Sequence, residues 1–456
     1  MEDGKILEAA MNDFLDYERR HQPGDVPWRL YARADDPEEI DAERISISLD
    51  AVGADWFDGT NSDFEHRSTA EREFFDQAPL ALIEIDLPTS WIDESALRQL
   101  KNPPPEEQRP WWSIEIAAPN EGLPVLIYPN LFAAPILGAI RMPPHPTPPR
   151  VSAALSRAFS LGSIPDATPG AIKSALPSSS TTAGAIVYDV GQGNCNALVN
   201  SGGQPLCYFD FGAAVRHHAN TYPSGLSNFC FCHAPPIILS HWDWDHWAAG
   251  NICTRAQGMS WIAPRQTLGA VHRTFAQSIV NSGNLLICPS SALPVTVGAI
   301  TIEHCTGTTK NDSGLAVQLE GVDMQGATRV ALLPGDARYT AIPGRKNTFR
   351  HIVSPHHGAT LASKWTPTCP GTVDERLVHS CGNPNQWNHP TTITRQRHDS
   401  TGWNDTTVNS TAHINLTRET TNRTNGFGHV FLPWDPSTAK PQVRCCGTVT
   451  ISPTQT

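Results

Sequence analysis

The sequence predicts an α/β chain in two parts: a small α+β domain over residues 1–162 and a second domain of short strands over 185–456, joined by a Pro/Ser/Thr-rich linker at 163–184. Three observations predict it. The chain has 456 residues, about three times the roughly 150 expected per domain, so more than one core is required. Acidic side chains crowd the front, where residues 1–110 hold 27 Asp/Glu against 11 Lys/Arg, while the remainder holds 18 against 22. Fifteen of the 18 His and all 11 Cys lie beyond residue 180, so metal-ligand chemistry belongs to the second part.

In the first part, Ile6, Ala9, Ala10, Met11, Phe14 and Leu15 fall on one helical face and predict a helix over 6–20. After an acidic, Trp-containing stretch and the PPP at 103–105, the runs WSIEIA and PVLIY read as strands, and 151–161 as a short helix. The apolar stretch Leu123–Ile140 is cut by Pro124, Pro129 and Pro135, and a membrane helix needs about 20 mostly unbroken apolar residues. No membrane span is expected. The first residues lack a basic segment followed by an apolar one, which points to a cytoplasmic protein, and the odd cysteine count points to reduced thiols. An acidic front repels phosphate backbones and the rest is too weakly basic to hold them by charge alone, so a nucleic-acid partner requires a local site or bound metal. The acidic domain suits a protein partner instead.

From Ala185 onward AIVYD, PLCYFD, PIILSH, VALLPGD and FRHIVSPHH each run apolar and stop at Asp or His. Strand ends that repeatedly deliver ligand-type side chains describe an active site at one edge of packed sheets. The densest is HWDWDH, with His241, Asp243, Asp245 and His246 within six residues. In an extended turn alternate residues project together, so His241, Asp243 and Asp245 converge while His246 faces an adjacent point. That suits two cations side by side, which can activate water and clamp a phosphoryl group. A lone His or Asp after a strand is ordinarily a cap or a satisfied core group. Four such residues together are different, because close carboxylates without a cation repel and raise each other's pKa.

HWDWDH resembles the HxHxDH signature of the metallo-β-lactamase superfamily, with Asp for the second His, a variant similar to the soluble hydrolase domain of the competence protein ComEC. VYDVGQGNC (187–195), YFDFG (208–212), TKNDSG (309–314), LLPGD (332–336), SPHHGA (354–359) and SCGNPNQWNHP (380–390) follow in the order of that family's motifs. The resemblance implies an αββα metallo-β-lactamase sandwich over 185–456 and a metal-dependent hydrolase, foremost a phosphodiesterase or nuclease acting on DNA or RNA through two divalent ions, Mn²⁺ or Zn²⁺. It implies His241 and Asp243 at the first metal, Asp245 and His246 at the second, Asp336 bridging, and His356 or His357 completing the second. Asp245, Asp336 and His389 would be catalytic, His389 contacting the scissile group or protonating a leaving oxygen. Asp189 would orient the HWDWDH loop, with Gln192, Asp210, Asn311, Asp312 and Ser313 supporting it or positioning substrate, and His304 is a rival near the last three. Asn194 replaces the usual Asp, and Trp387-Asn388 the usual Tyr-Gly. Replacing imidazole by carboxylate hardens the first site toward Mn²⁺.

Two other readings stay open. The same metals serve a small phosphodiester or cyclic nucleotide, which a closed pocket favours over a long groove flanked by Arg338, Arg345 and Arg350. In the other, the chain is a regulatory module whose acidic front docks a partner and masks the site. Cys230, Cys232, Cys445 and Cys446 read as buried thiols, the sequons at Asn404, Asn409, Asn415 and Asn422 as polar surface, and His217 and His218 as solvated loop residues.

Overall fold

In the computed structural model the described residues are 28–35, 37–40, 43–64, 71–91, 108–141, 144–178, 181–223, 226, 229–361, 365–371, 374–383, 385–403, 412–416, 428–438, 443–445 and 449–451. The helix predicted over 6–20, the PPP at 103–105, Cys446 and the sequons at Asn404, Asn409 and Asn422 lie outside them. The chain clusters into two compact units, 1–165 with 266–282 and 308–310, and 166–265 with 283–307 and 311–456.

The first unit is built on six antiparallel strands: β1 (Arg29–Ala34), β2 (Arg44–Gly53), β3 (Leu80–Pro88), β4 (Trp112–Ala117), β5 (Leu123–Tyr128) and β6 (Ile136–Ile140). Neighbours run β1-β2-β3-β5-β6-β4, and β4 pairs back onto β1 with Ile114 opposite Leu30, closing a barrel. Closure satisfies strand edges that would otherwise template aggregation. The period of two along each strand sorts the side chains. Leu30, Ala32, Leu49, Ala51, Ile83 and Ile127 share one core. Tyr31, Val52 and Trp111 face the other way and pack with Phe57, Phe75 and Leu155 from the helices α1 (Ala54–Phe64), α2 (Glu71–Gln77) and α3 (Pro149–Ala158). The helix Ala270–Ser282 also belongs to this unit, and its Ala270 joins the same cluster.

The second unit holds two seven-stranded sheets. The first comprises β7 (Gly184–Val187), β8 (Cys195–Val199), β9 (Pro205–Phe211), β10 (Ile237–Ile238), β11 (Ser260–Pro264) and β12 (Asn284–Cys288). The second runs in chain order through β13 (Val295–Val297), β14 (Ile300–His304), β15 (Leu315–Val322), β16 (Thr328–Leu333), β17 (His351–Val353), β18 (Glu375–His379) and β19 (Ala412–Leu416). A later strand, β20 (Val430–Pro433), returns to the first sheet beside β7. Val187, Leu198, Phe209 and Ile262 of the first sheet share one core with Ile302, Val317, Leu333 and Val378 of the second. Residues 163–184 are partly ordered into this unit: Thr168 caps the helix Pro169–Ala175, and Ile172 and Leu176 enter the shared core.

The αββα metallo-β-lactamase sandwich preceded by a small α+β domain is corrected by this architecture. Among the described residues strand exceeds helix, 32% against 25%, and the first unit holds a closed six-stranded barrel. Among the described residues the α-helices of the second unit are 4 to 8 residues long, too short to form the helical layers that such a sandwich requires. The 13-residue helix Ala270–Ser282, which could have supplied one, is part of the first unit. Among the described residues no helix is long and apolar enough to cross a membrane. Among the described residues eight cysteines, Cys230 among them, are free thiols, whereas Cys232 is disulfide-bonded, which departs from the expectation of reduced thiols throughout.

Within the first unit, the buried Asp50 of β2 holds the start of Ala270–Ser282. Its Oδ1 accepts the Val271 N–H at 2.8 Å, and its Oδ2 lies 3.4 Å from the His272 N–H. A carboxylate there satisfies amides that have no partner within the helix and faces the positive end of its dipole. Asp50→Ala is expected to cost about 1–2 kcal/mol of stability, read as a lower thermal midpoint; an unchanged midpoint would assign the cap no role.

Candidate metal centre

The site is assembled where β9, β10, β16 and β17 end. After β10, Ser240 leads into HWDWDH, and only Trp244–Trp247 forms a helical turn, which leaves His241 and Asp243 on extended backbone. Close backbone approach fixes the loop. The Asp245 carbonyl accepts the Asn194 N–H at 3.0 Å and lies so near Gly212 that a Cβ there would stand 1.7 Å from it. Only glycine fits at that point.

The predicted ligands converge. His241 Nε2 lies 3.6 Å from Asp243 Oδ2 and 3.8 Å from Asp336 Oδ2. His246 Nε2 lies 3.1 Å from Asp336 Oδ1 and 3.8 Å from Asp245 Oδ1. His357 Nε2 is 2.9 Å from Asp245 Oδ2 and 3.8 Å from Asp336 Oδ1, while His356 Nε2 is 3.5 Å from Asp336 Oδ2. Asp336 Oδ2 thus faces His241 and His356, with Asp243 beside His241, and Oδ1 faces His246 and His357, with Asp245 beside them; His241, His246 and Asp336 also place ligand atoms within 4.8 Å of one another. The sequence left His356 and His357 unresolved; the geometry puts His357 with Asp245 and His246, whose ligand atoms lie within 4.8 Å of one another. His241 Nε2, His246 Nε2, His357 Nε2 and Asp336 Oδ1 are buried without a hydrogen-bond partner. Buried polar atoms are ordinarily satisfied, so several orphans aimed at one point fit cations.

The other ring nitrogens are already committed. His246 Nδ1–H donates to Asp210 Oδ2 at 2.9 Å and His357 Nδ1–H to the Ser380 carbonyl at 2.7 Å, while His241 Nδ1 stands 2.9 Å from Ser240 Oγ. Such bonds orient each ring and direct the Nε2 lone pair toward a metal. Asp210 is fully buried in a left-handed conformation, φ 59°, and also accepts from Ser240 N at 2.6 Å and Asn194 Nδ2 at 3.0 Å. Burial opposes the ionisation of Asp336, but the imidazoles of His246, His356 and His357 outweigh it and hold the carboxyl well below the usual carboxylate range. Burial likewise opposes charge on His246, and Asp336, Asp210 and Asp245 overcome it, raising its pKa well above the imidazole range. His357 is raised in the same way, against burial, chiefly by Asp336 and Asp245. Without cations, protons hold this cluster of charges together.

The remaining predicted residues surround the centre. Asp189 accepts from Gly191 N and Gly428 N, at 3.3 and 3.1 Å, and so holds its own glycine turn. Asn311–Ser313 is a 3-10 turn in which Asp312 binds the Arg338 backbone and guanidinium, at 2.8 and 2.6 Å, two residues past Asp336. Asp312 and His304 belong to none of the potential ligand groups among the described residues. His389 is near, its ring 5.8 Å from that of His356, and burial, reinforced by His356 and His357, holds its imidazole well below the usual range. His218 is buried rather than solvated, its ring 4.4 Å from Trp387, which in turn stacks on His389. Sequence reasoning missed this column because adjacent histidines in a polar loop carry no periodic signal. Arg216, 4.7 Å over Trp244, was missed for the same reason.

Asp210→Asn would set an amide N–H against one of three donors now aimed at the carboxylate. The expected result is metal affinity lower by about 10–100-fold, read by competition with a chromophoric chelator; wild-type affinity would show that Asp210 does not tune the site. Because His246 and His357 hold their protons above the ordinary imidazole range, a cation must displace them. Affinity should therefore rise with pH, and Mn²⁺ titrations at about pH 6 and about pH 8 check the sign; equal affinities would contradict it.

Compared with known proteins, the chain matches no family model and no curated protein.

Proposed function

We propose that the chain is a metal-dependent hydrolase of phosphodiesters, a nuclease in the leading reading, with a dinuclear centre. The observation that carries it is Asp336, a buried carboxylate whose two oxygens face two sets of side chains, Oδ2 toward His241 and His356 with Asp243 beside His241, and Oδ1 toward His246 and His357 with Asp245 beside them. Each set offers two imidazoles and two carboxylates, counting Asp336 in both, a mixed donor set suited to Mn²⁺ as well as Zn²⁺. When bound, such cations supply Lewis acidity, lowering the pKa of water and neutralising charge on a phosphoryl group. The chain's own residues do the rest. Asp210, Ser240 and Ser380 orient the imidazoles, Trp242 and Trp244 are buried beside the loop and limit water, and His389 stands beside His356 where it can donate to a reacting oxygen. The similarity of HWDWDH, SPHHGA and NHP to the motifs of the ComEC hydrolase domain supports a nucleic-acid substrate.

A second reading, a small phosphodiester or cyclic nucleotide, is favoured by what the arginines do. Arg338 is paired with Asp312 and Arg350 lies beside Glu375, while Arg345 covers Trp365, so two of the three carry a carboxylate partner that offsets their charge toward a polymer backbone. Purified protein assayed with Mn²⁺ on labelled single-stranded DNA and on bis(4-nitrophenyl) phosphate separates the readings. The expected result is about two metals per chain, and a loss of turnover of about 10³-fold or more in Asp336→Ala. Metal content and turnover untouched by that substitution would remove the hydrolase reading, and turnover of the small diester alone would remove the nuclease.

A further inference from the structure

We infer that Gln192 is a positioning residue that fixes the neutral tautomer of His389, presenting its Nε2–H as a hydrogen-bond donor to the reacting phosphodiester. The argument starts from a backbone amide, which can only donate. Gly382 N–H reaches Gln192 at 3.1 Å, so the atom it meets must be the amide oxygen. The other end of Gln192 is then its NH₂ group, which lies 3.4 Å from His389 Nδ1. A ring nitrogen that accepts from an amide carries no proton, so the proton of the neutral ring sits on Nε2. Gln192 is itself held, buried, by its own N–H donating to Thr221 Oγ1 at 3.1 Å.

The rest of His389 is equally committed. Its backbone N–H donates to Asn385 Oδ1 at 2.7 Å, and its carbonyl accepts from Asn385 Nδ2 at 3.0 Å. One ring face stacks on Trp387, centroids 5.9 Å apart and planes at 25°. Among the described residues, Nε2 is the atom of this side chain that makes no hydrogen bond. A group locked at every point but one, beside a ligand cluster, is a preorganised donor. As a neutral donor it stabilises charge developing on an oxygen without surrendering its proton, so protonation of a leaving oxygen is not its role.

The kinetic part rests on the hydrolase reading, but the tautomer does not, and it is measured in metal-free protein. Long-range ¹H–¹⁵N spectra of ¹⁵N-histidine-labelled full-length chain, with the signal identified by its loss in His389→Gln, should show a pyrrole-type Nε2 and a pyridine-type Nδ1. The reverse pattern in the wild type overturns the inference whatever the protein hydrolyses. In Gln192→Glu the carboxylate accepts from Nδ1–H, so the proton should move to Nδ1; an unmoved proton also overturns it. With Mn²⁺ and the small diester, Gln192→Glu should lose about 10²-fold in kcat with little change in KM. A wild-type kcat beside an inverted tautomer would refute the donor role while leaving the hydrolase intact.

Discussion

A carboxylate sealed from water between imidazoles is costly unless charge on every side repays it, and Asp336 imposes that condition on the second unit. It stands just past β16 with one oxygen toward His246 and His357 and the other toward His241 and His356. Protons can meet the condition, as the raised affinities of His246 and His357 for them indicate, and cations could meet it in their place through the same Nε2 atoms, which face the carboxylates of Asp336 and Asp245. The surrounding structure serves to keep those atoms aimed inward. Asp210 absorbs three donors, Ser380 takes the far nitrogen of His357, and Asp312 clamps the chain at Arg338, two residues beyond Asp336.

Backbone strain is concentrated in the same place. Asp210, His356 and His357 all adopt left-handed φ, 59°, 48° and 54°, a conformation that costs residues with a Cβ on the order of 1–3 kcal/mol each and persists only where neighbours over-determine it. Here they do. The amide of His356 donates to the Gly335 carbonyl at 3.2 Å, and its own carbonyl accepts from Ala359 at 2.7 Å. Gly358, φ 93°, makes the reversal possible, since a Cβ there would strike Pro390 and His379. The turn points two consecutive imidazoles at the two oxygens of Asp336, which regular helix or strand could not do with adjacent residues.

The clustering of these His and Asp side chains was legible because it is local: HWDWDH places four potential donors on one turn, and GD and HH stand at strand ends. The strand cores were legible too, since AIVYD, PLCYFD and VALLPGD alternate or run apolar as buried strands do, and they form β7, β9 and β16. The layering was not. Helix–sheet layers depend on which unit a helix joins, and Ala270–Ser282 joins the barrel unit through contacts that no window of sequence reveals. Barrel closure likewise depends on β4 meeting β1 across some 80 residues. The column of His218, Trp387 and His389 was invisible because it is assembled from distant loops.

The amides around Asp210 are physically coherent with its hold on His246. Asn194 stands 3.0 Å from Asp210 Oδ2 and donates to it; an aspartate there would oppose two buried carboxylates and favour protonating one of them, weakening the hold on His246. Asn196 in turn donates to Asn194 Oδ1 at 2.9 Å, so the polar chain reaches the metal-facing imidazole with each amide committed in one sense. The charge balance of the site bears on substrate. The charges of Asp210, Asp243, Asp245 and Asp336 would together offset two divalent cations, were the centre to hold them, and Arg338 is paired with Asp312. Little positive potential is left to gather a polyanion from a distance. Under the proposed hydrolase reading, attraction for phosphate would come from direct contact with bound cations and from short-range donors such as His389, an arrangement that a single diester satisfies as readily as a strand of nucleic acid.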